Sequence, residues 1–300
     1  MKNTSPYVVC FGEILWDIFP DYQRAGGAPF NVAYHLSKMG YDVKMLSRIG
    51  YDDLGERLIS RLSDWNITSE YIQIDPHQPT STVMATFDEN NEASYEIVSN
   101  IAWDFIEELP SHKDLLAHAE AFVFGSLCAR SETTRKTLLQ LLEYPKLKVF
   151  DVNFRPPFID TQLICDLLAK ANIVKLNKAE LKQILEFLNH IYTDEEEGVQ
   201  FLQHTFNIPE LILTKGSKGA KYFVGNREYA YGAVPIKIGD TVGSGDSFLA
   251  GFLSKRLAGN SPEEIMKQAV SLGAFITSKN GACPEYTQKE FLNFRKQHHI

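Results

Sequence analysis

Short apolar runs alternate along this chain with stretches of helical spacing, and that alternation restricts the fold to parallel βαβ units. The candidate buried strands are Val8 to Phe11, Val43 to Ile49, Ala121 to Phe124, Val149 to Val152, Ile173 to Leu176 and Leu211 to Thr214. Between them lie helical patterns such as Arg135 to Leu142, Leu163 to Ala169 and Gly198 to His204. In a sheet of this kind ligands gather outside the carboxyl ends of the strands, and the polar motifs of this chain fall at such ends. With 300 residues and 44% hydrophobic content the chain can bury a large core, so a single α/β domain over residues 1–300 is expected. Residues 71–101 break the alternation. Thr82 to Phe87 and Ala93 to Val98 read as two strands joined by Asp88-Glu89-Asn90-Asn91-Glu92, with no helix between them. Together with residues 13–25 this insertion is expected to form a small, discontinuous β lid. The acidic run Asp194-Glu195-Glu196-Glu197 reads as a solvated face or a helix start.

Residues 239–252 read Gly-Asp-Thr-Val-Gly-Ser-Gly-Asp-Ser-Phe-Leu-Ala-Gly-Phe, a glycine turn entering a helix. Phe248, Leu249, Phe252, Leu253 and Leu257 share one helical face, and Gly259 marks the stop. Asp246 is therefore expected at or near the N-cap. The amides of Gly243, Ser244, Gly245 and Asp246 would be unpaired donors of the first turn, suited to developing negative charge. A carboxylate beside such a cradle can take a proton from an attacking hydroxyl. Asp is also a favoured cap, so the segment by itself leaves open a purely structural turn. A second constellation, Gly26-Gly27-Ala28-Pro29-Phe30-Asn31, precedes Val32, Ala33, Leu36 and Met39 at helical spacing. Its glycines allow close approach of a ligand to the backbone, Pro29 suits a first helical turn, and Asn31 presents an amide from that turn. Upstream, Gly12-Glu13-Ile14-Leu15-Trp16-Asp17 leaves the first strand, and Asp17 can accept two hydrogen bonds from neighbouring sugar hydroxyls.

The two glycine segments resemble, in order and separation, the two signatures of the ribokinase family of sugar kinases, also called the PfkB family. Gly-Gly-Ala-Pro-x-Asn-Val-Ala is similar to the form found in its fructokinases, with Phe30 where a smaller residue is expected. Trp103-Asp104, Phe124-Gly125-Ser126-Leu127 and Asp151-Val152-Asn153-Phe154-Arg155 extend the likeness over essentially the whole chain. The resemblance implies a ribokinase-like three-layer α/β/α sandwich with a mostly parallel central sheet and a small β lid. It implies Asp246 as catalytic base and the Gly243 to Asp246 amides as an anion hole, with Asp17, Gly26, Gly27, Asn31 and Arg155 at the sugar. Arg155 is placed to reach the transferred phosphate, with Asp151 and Asn153 orienting it. Asn177-Lys178-Ala179-Glu180 is similar to the family's N-x-x-E motif, whose Glu organises magnesium mainly through water, in keeping with that ion's retained water shell. Taken without the family, the same residues read as a capping pattern at a helix start. Thr214, Lys215, Gly216 and Gly219 resemble the nucleotide loop, with Lys215 or Lys218 supplying positive charge, and Asn280 is implied near the adenine. Asp240 and Val242 match positions whose oxygens hold a monovalent cation such as K+ in many relatives.

The function thus expected is an ATP- and Mg2+-dependent sugar kinase, a fructokinase first, with a kinase for ribose or 2-keto-3-deoxygluconate, or a non-catalytic sugar-binding regulator, as rivals. The formal charge of -8, with no long basic block, argues against a nucleic-acid or membrane-surface partner. Cys10, Cys128, Cys165 and Cys283 are widely spaced, which indicates neither a zinc site nor a disulfide framework and points to a reducing cytoplasm. No signal-peptide core or membrane-length apolar run is evident. Neither a P-loop nor a G-x-G-x-x-G after the first strand is present, and the eight histidines lack metal-binding spacing. His35 reads as an exposed or satisfied side chain. The strand edges of the lid suggest pairing in a homodimer.

Overall fold

The computed structural model describes residues 6–19, 21–87, 93–225 and 227–300. Among the described residues thirteen strands are formed: β1 (Tyr7–Phe11), β2 (Leu15–Ile18), β3 (Gln23–Gly26), β4 (Asp42–Gly50), β5 (Ile72–Asp75), β6 (Ser81–Phe87), β7 (Ala93–Ile97), β8 (Ala121–Gly125), β9 (Lys148–Asp151), β10 (Ile173–Asn177), β11 (Glu210–Thr214), β12 (Ala220–Val224) and β13 (Arg227–Tyr231). The helices are α1 (Ala28–Lys38), α2 (Asp53–Asp64), α3 (Pro110–His118), α4 (Glu132–Leu141), α5 (Thr161–Lys170), α6 (Lys178–Phe187), α7 (Glu195–Phe206), α8 (Ser244–Leu257), α9 (Pro262–Thr277) and α10 (Gln288–Gln297).

Nine strands make one sheet in the order β13-β12-β11-β10-β9-β8-β1-β4-β5. Its pairs are parallel except β11–β12 and β12–β13. Because successive strand residues face opposite sides, the sheet feeds two separate cores. Val8, Cys10, Val149, Ile173 and Ile212 pack with Phe30, Leu58, Phe252, Met266 and Phe291, which places α1, α2, α8, α9 and α10 on one face. Val9, Phe11, Phe150, Val174 and Leu211 pack with Leu115, Leu138, Leu167, Leu181 and Val199, which places α3 to α7 on the other. This is the ribokinase-like three-layer architecture. All six strands expected from the apolar runs are present, with ends within a residue or so of the expected ones.

A second sheet of four strands, in the order β3-β2-β6-β7, stands apart from the main one. It contains the expected hairpin β6–β7, antiparallel with Val83 opposite Ile97. The joining residues 88–92 lie outside the described residues. One boundary differs from the sequence reading: β5, within residues 71–101, pairs in parallel with β4 and so belongs to the large sheet. Its apolar Ile72 is drawn into the main core, which outweighs its closeness in sequence to the hairpin. The small sheet is thus limited to β2, β3, β6 and β7.

Asp246 is the third residue of α8, near the N-cap Gly243 as expected. One further expectation needs correction: helix α8 lacks a solvent face over most of its length, since every residue from Asp246 to Ser254 is buried. It packs between α1 and α9, so the apolar stripe read from the sequence is only part of a helix enclosed on all sides. Phe30, larger than the motif suggests, is fully buried with its ring 4.8 Å from that of Trp65. The acidic run is a helix start: Asp194 caps α7 by accepting from the Glu196 and Glu197 amides at 2.9 and 3.0 Å.

The outer end of α8 is fastened to the sheet by Glu210, at the start of β11. Its carboxylate accepts from the Tyr222 hydroxyl at 2.5 Å and from Arg256 Nη2 at 2.6 Å. Replacing Glu210 by Ala leaves a buried hydroxyl and a half-exposed guanidinium unpaired. It is expected to cost about 2–4 kcal/mol, read as a lower urea midpoint at unchanged m-value.

Candidate active site

Four strand ends and two helix starts converge on one cleft of about 1100 Å³. From the strand ends come Glu13 after β1, Asn153 and Arg155 after β9, Asn177 at the end of β10 and Thr214 at the end of β11. From α1 and the turn before it come Gly27, Ala28 and Asn31, and from α8 and its approach Thr241 to Asp246. Asp17 of β2, with Val83 and Ile97 of the hairpin, closes one side from the small sheet.

Asp246 lies in the first turn of α8 with 9% of its surface exposed. Its Oδ2 accepts a hydrogen bond from Asn31 Nδ2 at 2.8 Å, a contact between residues 215 apart in sequence. The Cys283 thiol donates in turn to Asn31 Oδ1 at 3.2 Å and fixes the amide from behind. Burial raises the Asp246 pKa to about 6, with Asp151 adding to the rise and Lys175, Asn31 and Arg155 opposing it. Asp246 is thus poised near neutrality, where a general base works well.

The cradle itself is smaller than expected. The Ser244 amide donates to the Thr241 carbonyl at 3.2 Å, whereas no described hydrogen bond engages the amides of Gly243, Gly245 and Asp246. The Ser244 hydroxyl accepts from Thr277 Oγ1 at 2.9 Å, which ties the turn to the end of α9. Gly243 has φ 75°, and a Cβ there would stand 2.5 Å from Ala282 Cβ. Gly27 has φ 114°, and a Cβ there would collide with the Glu13 carbonyl oxygen at 2.3 Å. Both positions therefore demand glycine on two counts.

The other expected residues divide into two groups. Asp17, Gly27, Asn31, Arg155, Asn177, Glu180, Thr214, Gly216, Gly219, Val242, Gly243, Ser244 and Gly245 line the cleft with Asp246. Burial raises Asp17 to about 6 against the pull of Arg155 and Arg24. The Arg155 guanidinium is exposed at the rim, its one described hydrogen bond running to the Phe154 carbonyl at 3.0 Å. Gly26, Lys215, Asp240 and Asn280 do not line the cleft. A Cβ on Gly26 would meet Asp17 Oδ2 at 2.7 Å, so this glycine makes room for Asp17. Lys215 reaches away to Glu195 of α7 at 3.0 Å, an attraction the acidic helix start supplies. Asn280 is exposed and lines a neighbouring, shallower pocket with Lys237, Phe294 and His298.

Two residues serve the backbone more than the expected motif suggests. Asn177 caps α6, accepting from the amides of Ala179 at 2.8 Å and Glu180 at 3.0 Å. Glu180 accepts from the Asn177 amide at 2.7 Å and the Phe154 amide at 3.1 Å. With both oxygens engaged, Glu180 suits a magnesium ion held through water and substrate phosphates better than one bound directly. Asp240 is also occupied, accepting from the amides of Val242 at 3.0 Å and Gly281 at 3.0 Å. Arg24 of β3 stands 3.4 Å from the same carboxylate, where a monovalent cation would have to share it. Asp151 does not orient Arg155, because it is paired with Lys175. His35 is fully buried and satisfied by the Ala282 carbonyl and the Tyr286 hydroxyl. Asp104, from the Trp103-Asp104 phrase, forms a structural pair with Arg130 at 2.8 Å.

Glu13 and Lys175 were given no role in the sequence reading, yet both line the cleft. Glu13 is 3% exposed, accepts from the Ala28 amide at 3.2 Å, and has its Oε2 buried without a described partner. Burial raises its pKa to about 7. Lys175 carried a signal that could have been read: a lysine in the middle of the apolar run Ile-Val-Lys-Leu breaks the pattern of a buried strand.

A buried carboxylate at an amide-lined helix start, facing a cleft at the strand ends of a parallel sheet, suits phosphoryl transfer. The sequence profile of the pfkB family carbohydrate kinases matches residues 7–289, and the chain belongs to that family. Probable fructokinase-5 of Arabidopsis thaliana is 28% identical over 313 residues, spanning 95% of this chain and 95% of that protein. The fold is shared with the fructokinase with bound ATP from Xylella fastidiosa, with TM-score 0.87, 19% identity, and coverage of 98% of this chain and 99% of that one. It is shared also with the fructokinase from Vibrio cholerae O395 in a fructose-, ADP- and calcium-bound form, with TM-score 0.82, 22% identity, and coverage of 96% and 98%.

Asp246→Asn is expected to lower kcat by more than about a hundredfold with the circular-dichroism spectrum unchanged, since general-base contributions are of that order. Because the base acts ionised and its pKa is about 6, kcat/KM should hold on the alkaline side and fall as pH drops below that value. The check is initial rates of ADP release in overlapping buffers.

Proposed function

We propose that this kinase is a fructokinase, transferring the γ-phosphoryl group of ATP to the 6-hydroxyl of D-fructose. The observation that carries the reading is the buried Asp246 carboxylate, oriented by Asn31 beside free first-turn amides. Fructokinases among its curated relatives, matched over nearly the whole chain, support the choice of sugar.

In this reading Asp17, Gly27, Asn31 and Arg155 hold the sugar with its 6-hydroxyl toward Asp246. Asn31 takes one carboxylate oxygen, so the other is left to accept the hydroxyl proton as the sugar oxygen attacks phosphorus in line. The amides of Gly243, Gly245 and Asp246 receive the charge on the transferred group, and Thr214, Gly216 and Gly219 border the nucleotide. The transition state is loose, so positioning and charge stabilisation supply most of the rate. Glu180 would hold magnesium through water, and the ion would supply neutralising charge at the phosphates when bound. A monovalent cation such as K+ belongs at Asp240 and Val242 in the same reading. The small sheet acts as a lid that excludes water, and its outer strands β3 and β7 are the edges through which two copies would pair. Four free cysteines suit a reducing compartment, the cytoplasm in this proposal. Among the described residues, no helix is long and apolar enough to cross a membrane.

The test is ADP release with Mg-ATP across fructose, ribose, glucose, tagatose, mannose and 2-keto-3-deoxygluconate, with and without potassium. A rate confined to fructose is expected. A preference for another sugar would keep the mechanism and overturn the substrate, and silence across the panel would favour a sugar-binding regulator.

A further inference from the structure

Lys175 sits in the middle of β10 with 7% of its surface exposed. Its Nζ donates to Asp151 Oδ1, at the end of the neighbouring strand β9, at 2.7 Å. An ammonium has three donors, and this is its one described hydrogen bond. The second oxygen of Asp151 is buried and has no described partner. On its other side Lys175 lies against the first turn of α8: a Cβ on Gly245 would stand 3.1 Å from Nζ and 3.5 Å from Cε. The ammonium thus lies beside Gly245, whose amide no described bond engages. It also explains the second glycine of Gly-Ser-Gly-Asp, since any side chain at position 245 would press on the lysine head group.

Burial works against the charge of Lys175, but the carboxylates of Asp151, Asp246 and Glu180 outweigh it and hold the lysine above its ordinary range. As a source of stability the pair is poor, because a buried ion pair commonly does no better than well-packed apolar side chains of the same volume. An apolar strand that keeps such a pair at its carboxyl end, on the wall of the reaction cleft, has a use for the charge.

We propose that Lys175, held in place by Asp151, is part of the phosphoryl-transfer machinery, presenting a fixed positive charge under the anion cradle. Its remaining donors face the place where the transferred group's oxygens gather charge as the bond from the sugar oxygen to phosphorus forms. The bridging oxygen leaves with ADP, and the sugar proton goes to Asp246. Lys175 exchanges no proton. The charge also complements the magnesium, in a site that otherwise offers the nucleotide several carboxylates.

The inference rests on the kinase chemistry and not on which sugar is used, so it is tested with whichever panel sugar the unaltered enzyme turns over fastest. Lys175→Met alone leaves Asp151 buried and unpaired, so the deciding protein is the double variant Lys175→Met with Asp151→Asn, which removes both charges at similar volume. The measurements are kcat, KM for sugar and for Mg-ATP, and a thermal melt. The expected result is a folded double variant with kcat lower by about a hundredfold, the scale of one lost oxyanion donor, and with sugar KM changed by less than about threefold. A folded double variant with kcat within about threefold of the unaltered enzyme would make the pair structural and overturn the proposal. So would a loss confined to KM.

Discussion

Enclosure of α8 is the constraint on which the rest of the site depends. From Asp246 to Ser254 the helix has no exposed residue, so it cannot rotate or slide without disturbing α1, α9 and the sheet beneath it. Phe248, Leu249, Phe252 and Leu253 each contribute roughly 1.5–3 kcal/mol of burial to that position. Its outer end is locked by Arg256 to Glu210, and its inner end by Thr277 to Ser244 and by Asn31 to Asp246. Packing energy is converted in this way into a fixed direction for one carboxylate and three amides. Preorganisation of that kind is what stabilises developing charge without reorganisation during the reaction.

The electrostatics of the cleft follow from the same crowding. Glu13, Asp17, Glu180 and Asp246 all border it, each with a pKa pushed upward by burial. Against them stand Arg155 at the rim and Lys175 within the wall. A triphosphate entering such a site meets repulsion unless cations accompany it. Among the described residues no group of three or more acidic, histidine or cysteine side chains gathers to bind a metal ion, so the divalent ion of the proposed reaction would accompany the nucleotide. The arrangement suits a metal that arrives with its nucleotide.

Much of this could be read from the sequence, because the strands of a doubly covered sheet are continuous apolar runs and the two glycine turns stand at fixed places beside them. Asp246, Asn31 and Gly27 were legible for that reason: each lies in the motif itself. The identity of their partners was not. Lys215 looks like a phosphate contact until Glu195, drawn from the start of α7, takes its charge. Asp151 looks like a partner for the nearby Arg155 until strand order places it beside Lys175. Asn177 and Glu180 fit a metal motif and a capping pattern equally well in sequence, and their hydrogen bonds follow the capping pattern. Long-range pairings of this kind depend on which strands become neighbours, and composition and spacing do not encode that order. The small sheet is narrower than expected for the same reason, since β5 answers to β4 across the main sheet rather than to the hairpin beside it.

The small sheet and the catalytic layer are joined by very little chain. Strand β3 passes through Gly26 and Gly27 straight into α1, so Asp17, paired through β2 to Arg24 and neighbouring Gly26, is only one turn removed from Asn31. Gly27 is wedged against the Glu13 carbonyl with no room for a side chain, and the Glu13 carboxylate holds the first amide of α1. The small sheet therefore joins the helical layer at this turn, next to the Asn31 that donates to Asp246. Arg24 extends the linkage, reaching from β3 to Asp240 in the approach to α8. A sheet that bends toward the cleft would bring Asp17 toward a sugar while its Arg24 contact bears on the loop that forms the anion cradle. In the proposed mechanism, sugar capture and assembly of the phosphoryl site would be coupled through this turn, which would keep water from taking the place of the sugar hydroxyl.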